Sequence, residues 1–118
     1  MQTRTVRIVN RRTGLPLGDS VTLAETFARR FIGLLGRQSL KPSQGIWLEP
    51  CRSVHMFFMR FPIDVLFVDR RGRVVSAVSR LRPWRIAFGG AGTTAALELP
   101  VGMIEKTDTR PGDVLDKI

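Results

Sequence analysis

The residues best able to do chemistry gather between Pro50 and Asp64. The run Pro50-Cys51-Arg52-Ser53-Val54-His55-Met56-Phe57-Phe58-Met59-Arg60-Phe61-Pro62-Ile63-Asp64 holds the one cysteine, the one histidine and two of the 4 methionines. One chemistry open to it is nucleophilic. Cys51 would be the thiolate and His55 its base, with Arg52 favouring the ionised sulfur and Asp64 or Glu98 orienting the ring. Another is a soft-metal site, in which Cys51, His55 and Met59, with Met56 or Met103, offer a ligand set suited to Cu(I). Spacing weighs against both. In a strand, residues four apart share a face but stand about 13 Å from each other. Metal–ligand bonds reach only about 2.0–2.3 Å, so no metal is expected. A sharp bend at Pro50-Cys51-Arg52-Ser53 would be needed to pair sulfur with imidazole. The structural alternative makes Cys51 a small buried apolar residue and gives His55 a carboxylate or carbonyl partner.

Other chemistry-bearing residues are more scattered. Phe88-Gly89-Gly90-Ala91-Gly92-Thr93-Thr94 is rich in glycine, but no lysine follows it and it opens no helix, so it reads as a flexible loop rather than a phosphate cradle. Trp84, between Pro83 and Arg85, reads as a surface ring, and Trp47 suits either the core or a groove wall. Asp64 and Asp69 flank a strand at odd spacing and so lie on opposite faces. Glu98 points away from Leu97 and Leu99, and Arg60 is the expected ion-pair partner.

These residues need a scaffold, and composition bounds it. The chain has 118 residues and a mass of 13.3 kDa, one domain's worth, so 1–118 is expected to form a single domain. An apolar content of 43% excludes disorder, and 1 cysteine excludes a disulfide framework. Apolar runs such as Phe31 to Leu35 fall far short of the ~20 residues of a membrane span. No secretory h-region follows Arg4, Arg7, Arg11 and Arg12, so a cytoplasmic location is expected. Lys and Arg number 19 against 10 Asp and Glu, a net charge of +9, and only Lys41, Lys106 and Lys117 are lysines. That balance suits an anionic ligand, an acidic protein surface or nucleic acid. The arginines are spread along the chain, with short clusters at Arg11-Arg12, Arg29-Arg30 and Arg70-Arg71 with Arg73. No single run interleaves them with aromatic residues in the manner of an RNA-binding motif.

Periodicity gives a mainly β (α+β) fold of the small barrel or sandwich kind, with six to eight short strands and one helix around 26–36. Met1 to Val9 alternates as a strand. Gly14, Pro16, Gly18 and Asp19 mark Arg11 to Ser20 as turn, and Val21 to Ala24 as a second strand. Thr26 caps a helix with Phe27, Phe31 and Leu35 on one face, ended by Gly36. Strands follow at Ile46 to Glu49, Val54 to Met59, Ile63 to Val68 and Val74 to Val78. Asp69-Arg70-Arg71-Gly72 joins the last two, with Gly72 supplying a positive φ. Pro83 to Thr94 reads as irregular, Ala95 to Leu99 as a strand and Gly102 to Lys106 as a helical turn. Arg110-Pro111-Gly112-Asp113 matches a type II turn before a final strand at Val114 to Ile118.

Gly33-Leu34-Leu35-Gly36-Arg37, the Cys51 to Asp64 run, Val65 to Asp69 with Gly72, Leu97-Glu98-Leu99-Pro100 with Gly102, and Gly112-Asp113 occur in one order. Together they resemble the DUF192 family of small bacterial and archaeal proteins, over roughly residues 20–118, in a branch with a Pro-Cys-x-x-Val-His pattern. The resemblance implies a mostly β fold with a helix after the second strand. It implies no reaction and no cofactor. It directs attention to Cys51, His55, Arg60, Asp64, Glu98 and Asp113.

The function expected from these residues is a small binding or accessory module. Its groove would lie around Cys51, His55, Arg60 and Glu98, with Asp64 as a further binding residue and no cofactor. A Cys51–His55 enzyme is one alternative. The other is a nucleic-acid binder using Arg7, Arg11, Arg12, Arg70, Arg71 and Arg73.

Overall fold

A computed structural model of the chain describes residues 4–24 and 40–118. Among them run nine strands: β1 Thr5–Asn10, β2 Pro16–Ala24, β3 Gln44–Leu48, β4 Ser53–His55, β5 Ile63–Val68, β6 Val74–Leu81, β7 Ile86–Phe88, β8 Ala95–Pro100 and β9 Leu115–Lys117. One short helix, α1, spans Met103–Thr107. The mainly β class holds. The helix expected at 26–36 lies outside the described residues.

Seven strands form one sheet in the order β6-β5-β8-β3-β2-β1-β9. All its neighbours are antiparallel except β2 and β3, which run parallel from Ser20↔Gln44 to Ala24↔Leu48. The sheet curls until its two edges meet at one end. Arg73 bridges Val114 there, the Val74 N–H donates to the Asp113 carbonyl at 2.8 Å, and the Leu115 N–H donates to that of Gly72 at 2.8 Å. Gly72 sits at φ +78, as the turn reading requires, and a Cβ on it would meet the Leu115 carbonyl oxygen at 2.8 Å. The glycine thus serves both the turn and the seam.

Strand alternation fills both sides of this half-barrel. Ile8, Val21, Trp47, Leu66, Val68, Val74, Leu97, Leu99, Ile104 and Leu115 pack on the face where the edges meet. Ile46, Leu48, Val54, Met56, Met59, Ile63, Val65, Phe67, Leu81 and Ala96 pack on the other. Every residue of β5 is buried, so its continuous apolar run reflects cover on both faces. The two-stranded ribbon of β4 and β7 supplies part of that cover, with Val54 opposite Ala87.

Polar groups at the seam are well matched. Asp113 accepts from Asn10 Nδ2 at 3.0 Å, Arg12 Nε at 2.7 Å and the Arg110 N–H at 2.9 Å. The Arg12 guanidinium holds its carboxyl well below the usual carboxylate range. Gly112 lies at φ 96 and the Asp113 N–H returns to the Arg110 carbonyl at 3.1 Å, as the Pro111-Gly112 turn reading requires.

Three local expectations need correction. β2 begins at Pro16, not Val21, because the turn-rich residues pair with β1 through a bulge, Ile8↔Gly18 and Val9↔Pro16. Gly18 is needed there, since a Cβ would meet Val21 Cγ2 at 2.8 Å. The strand expected over Val54 to Met59 stops at His55, and the chain turns with the Met59 N–H on the Met56 carbonyl at 3.2 Å. Within the irregular stretch from Pro83 to Thr94 lies β7, which forms because β4 offers it an edge.

Candidate binding face

The ribbon sorts its side chains by alternation. Val54 and Ala87 turn inward onto the sheet. Ser53↔Phe88 and His55↔Ile86, one step away in register, occupy its outer face. Two turns extend that face. The Met56 N–H donates to the Arg85 carbonyl at 2.8 Å, and the Trp84 N–H donates to the Met56 carbonyl at 2.8 Å. These bonds clamp the turn after β4 to the turn before β7.

The clamp holds two bulky residues in an unfavourable backbone state, Phe58 at φ 66 and Trp84 at φ 69. Left-handed backbone costs an L-residue about 1–2 kcal/mol, and such strain persists only where surrounding bonds impose it. Here it sends both rings into solvent: Phe58 is 72% exposed and Trp84 59% exposed. Ring centroids run from His55 to Phe57 at 5.1 Å, from Phe57 to Trp84 at 6.0 Å and from Trp84 to Phe58 at 4.9 Å. Ile86 and Phe88, the latter 76% exposed, continue the patch along β7.

Its charge is of one sign. Arg52, Arg60, Arg82 and Arg85 are exposed on the same two segments, and neither 50–63 nor 70–97 contains an acidic residue. None of these arginines, nor Arg70, Arg71, Arg73 or Arg80, makes an ion pair among the described residues. The cations beside β1 differ. Arg7 pairs with Asp19 at 2.9 Å, Arg11 with Asp116 at 2.7 Å and Arg12 with Asp113 at 2.7 Å. The arginine set expected for nucleic acid therefore divides, with Arg7, Arg11 and Arg12 engaged by carboxylates and Arg70, Arg71 and Arg73 left to solvent.

A family model described as DUF192, Uncharacterized ACR, matches residues 8–117. The chain belongs to the DUF192 family. A UPF0127 protein of Thermococcus sibiricus is 33% identical over 114 residues, covering 92% of this chain and 73% of its own length. A UPF0127 protein of Pyrococcus horikoshii, PH1112, is 35% identical over 112 residues, covering 90% of this chain and 94% of its own. Among solved structures, a protein of unknown function from Novosphingobium aromaticivorans superposes with a TM-score of 0.82 at 24% identity, over 98% of this chain and 86% of that one. A Sinorhizobium meliloti protein does so with a TM-score of 0.82 at 23% identity, over 98% and 94%. These likenesses show the curled fold.

Within this DUF192 chain, the residues singled out from sequence go to several places. His55 and Arg60 lie on the outer face with the rings. Cys51 is half-buried behind it, its Sγ donating to the Ser53 carbonyl at 3.1 Å and its N–H to that of Thr94 at 2.9 Å. His55 instead meets the ring of Phe57. Asp64 is fully buried and accepts from the N–H groups of Arg80 at 3.0 Å, Gly102 at 3.0 Å and Ile104 at 2.9 Å. That carboxylate organises the end of β6 and the start of α1 and does not belong to a groove with His55. Glu98 stands at mid-sheet, opposite Ile46 on β3 and Val65 on β5. The expected Arg60–Glu98 ion pair is absent. Glu98 makes no hydrogen bond or ion pair among the described residues, and burial pushes its carboxyl up to about 7. Asp113 belongs to the seam.

Trp47 is a core ring, 4% exposed, with its Nε1 on Glu49 at 3.0 Å and Lys117 over its face at 4.4 Å. Among the described residues no cluster of His, Cys, Asp and Glu is placed to hold a metal ion, and no helix is long and apolar enough to cross a membrane. A cavity of about 210 Å³ lies between Leu15–Asp19, Pro42-Ser43 and α1, away from the Cys51 to Asp64 run. Sequence reasoning missed Phe57, Phe58, Ile86 and Phe88 as surface residues. The sequence puts Phe57 and Phe58 in a strand and Ile86 and Phe88 in an irregular stretch, and the flanking arginines are the signal for a displayed face.

Proposed function

We propose that this chain is a small binding module that takes an anionic ligand bearing flat or apolar groups on the outer face of the β4–β7 ribbon. One observation carries this reading. Phe58 and Trp84 are both held at positive φ with their rings in contact and exposed, on segments that carry arginines and no carboxylate. A fold does not spend strained backbone on exposing two large rings unless other contacts impose it, and here the clamp between the two turns does so. Exposed apolar patches rimmed by charge are characteristic of interaction surfaces. The reading keeps His55 and Arg60 from the expected groove and sets Cys51, Asp64 and Glu98 behind it as supporting residues.

The test uses anilinonaphthalene sulfonate, a flat aromatic anion, titrated into the folded protein. Saturable binding is expected, weakened at least about fivefold in a Phe58→Ala/Trp84→Ala double variant, an effect comparable to losing one stacked ring. Thermal unfolding of the variant serves as the control, since both side chains face solvent. Equal binding by the two proteins would remove the ribbon as the binding face.

A further inference from the structure

We infer that the ligand of this face is single-stranded nucleic acid, with bases stacking on the ribbon's rings and phosphates tracked by the arginines along β6. The inference rests on the binding face proposed above and assigns its ligand class.

β6 is one of the two edge strands of the sheet, with β5 as its ladder neighbour and the seam to Asp113–Leu115 at its start. It runs beside the ribbon, Ser76 Oγ donating to the Gly89 carbonyl at 3.1 Å. Arg70, Arg71 and Arg73 stand before its first residue, and Arg80, Arg82 and Arg85 stand at and beyond its other end. Its eight residues, Val74–Leu81, separate the two groups by roughly 25 Å at ~3.3 Å per residue. Cations that make no ion pair among the described residues thus stand at both ends of β6, and the rings His55, Phe57, Trp84 and Phe58 gather at the turn that follows its second end. A polymer with charge on its backbone and flat rings on one side is the complement of that arrangement. Base–aromatic stacking with arginine tracking is how strands are bound without sequence preference. A bilayer surface would also welcome arginines and exposed Trp and Phe. It is less well matched to Ser53 and His55, which sit among the rings of the outer face and can hydrogen-bond base edges.

The experiment titrates the full chain with a fluorescein-labelled 12-residue oligothymidylate at low salt. Parallel titrations use a duplex of the same length and vesicles of phosphatidylserine and phosphatidylcholine. The single strand is expected to bind more tightly than the duplex and to quench Trp84, a signal absent in Trp84→Phe. Phe58→Ala and Trp84→Ala should each cost at least about fivefold. Arg82→Ala and Arg85→Ala should each flatten the salt dependence by about 0.7 in log–log slope. Arg7→Ala should change neither, since Arg7 is already engaged by Asp19.

No oligonucleotide binding at low salt would overturn the inference. So would binding unaffected by loss of the rings, or equal affinity for the duplex. Vesicle binding with a blue-shifted Trp84 and no oligonucleotide binding would also overturn it, assigning the face to lipid and leaving the binding module standing. Failure of the dye test would remove the face itself, so the two failures are distinguishable.

Discussion

Asp64 and Glu98 stand one register step apart on neighbouring strands, and their carboxyl groups face opposite sides of one sheet. Asp64 lies opposite Leu99, which packs on the seam side, and Glu98 lies opposite Val65, which packs on the other. Both are buried, but only Asp64 is given hydrogen-bond donors. Replacing the two carboxyl groups should therefore change stability in opposite directions.

Glu98 should make the protein less stable as the medium becomes more alkaline. Its unfolded value is near 4.5 and its folded value about 7, so between these values the folded state binds the extra proton. Stability falls as pH rises from about 4.5 to about 7 and levels off above, an effect on the order of 3 kcal/mol if fully expressed. Glu98→Gln should abolish this slope and be more stable than the parent at pH 8. Urea unfolding at pH 5 and pH 8 reads both effects. A parent protein equally stable at the two values would contradict the prediction.

Removing Asp64 should have a cost that Glu98 does not. Asp64→Ala strands three N–H groups in a buried place, and an orphaned buried donor costs about 1–3 kcal/mol. A loss of about 3 kcal/mol is expected overall, with amide exchange accelerated first at Gly102 and Ile104. Uniform acceleration across the chain would mean that Asp64 does not act locally on α1.

Glycine 72 offers a comparison with an internal control. Gly72 and Gly14 have similar positive φ, +78 and +71, but only Gly72 faces a backbone oxygen within contact distance. Gly14→Ala should cost about 1 kcal/mol for the backbone state alone. Gly72→Ala should cost that and the displacement of the Leu115 carbonyl, a total of about 3 kcal/mol. Similar midpoints for the two variants in chemical denaturation would show that the seam yields easily.

Alkylation of Cys51 should not depend on His55. The thiol donates to the Ser53 carbonyl at 3.1 Å. His55, on the outer face of β4, meets Phe57. With one thiol in the chain, the rate of iodoacetamide reaction against pH is unambiguous. The profile is expected to be the same in the parent and in His55→Ala. A profile shifted to higher pH in the variant would restore the nucleophile–base pair.

The scaffold was legible where local chemistry and tertiary pairing agree. Ile63 to Val68 and Ala95 to Leu99 are apolar runs that fit strands buried on both faces. Gly72 and Pro111-Gly112 mark turns whose backbone states leave few other residues. Pro16 to Ser20 misled because its turn formers act as a bulged strand once β1 and β3 lie on either side. Ile86 to Phe88 is too short, and too closely flanked by Pro83, Gly89 and Gly90, for periodicity to register. The binding face was illegible for a further reason. Phe58 and Trp84 are distant in sequence, and only the backbone bonds between Met56 and the Trp84–Arg85 turn bring them together. Trp84 reads as a surface ring by itself, but it takes the pairing of two segments to show that Phe57 and Phe58 are displayed beside it.

The seam also sets the order in which the molecule can be completed. β1 is held on one side by β2, which follows closely, and on the other by β9, through Ile8↔Lys117 and Asn10↔Leu115. A chain growing from its N-terminal side therefore carries one edge of β1 unsatisfied until β9 has been added. Closing that loop means joining residues separated by almost the whole described chain, the slowest kind of contact to form. Until then, the open edge of β1 offers the same hydrogen-bonding pattern to any passing strand, including β9 of another copy.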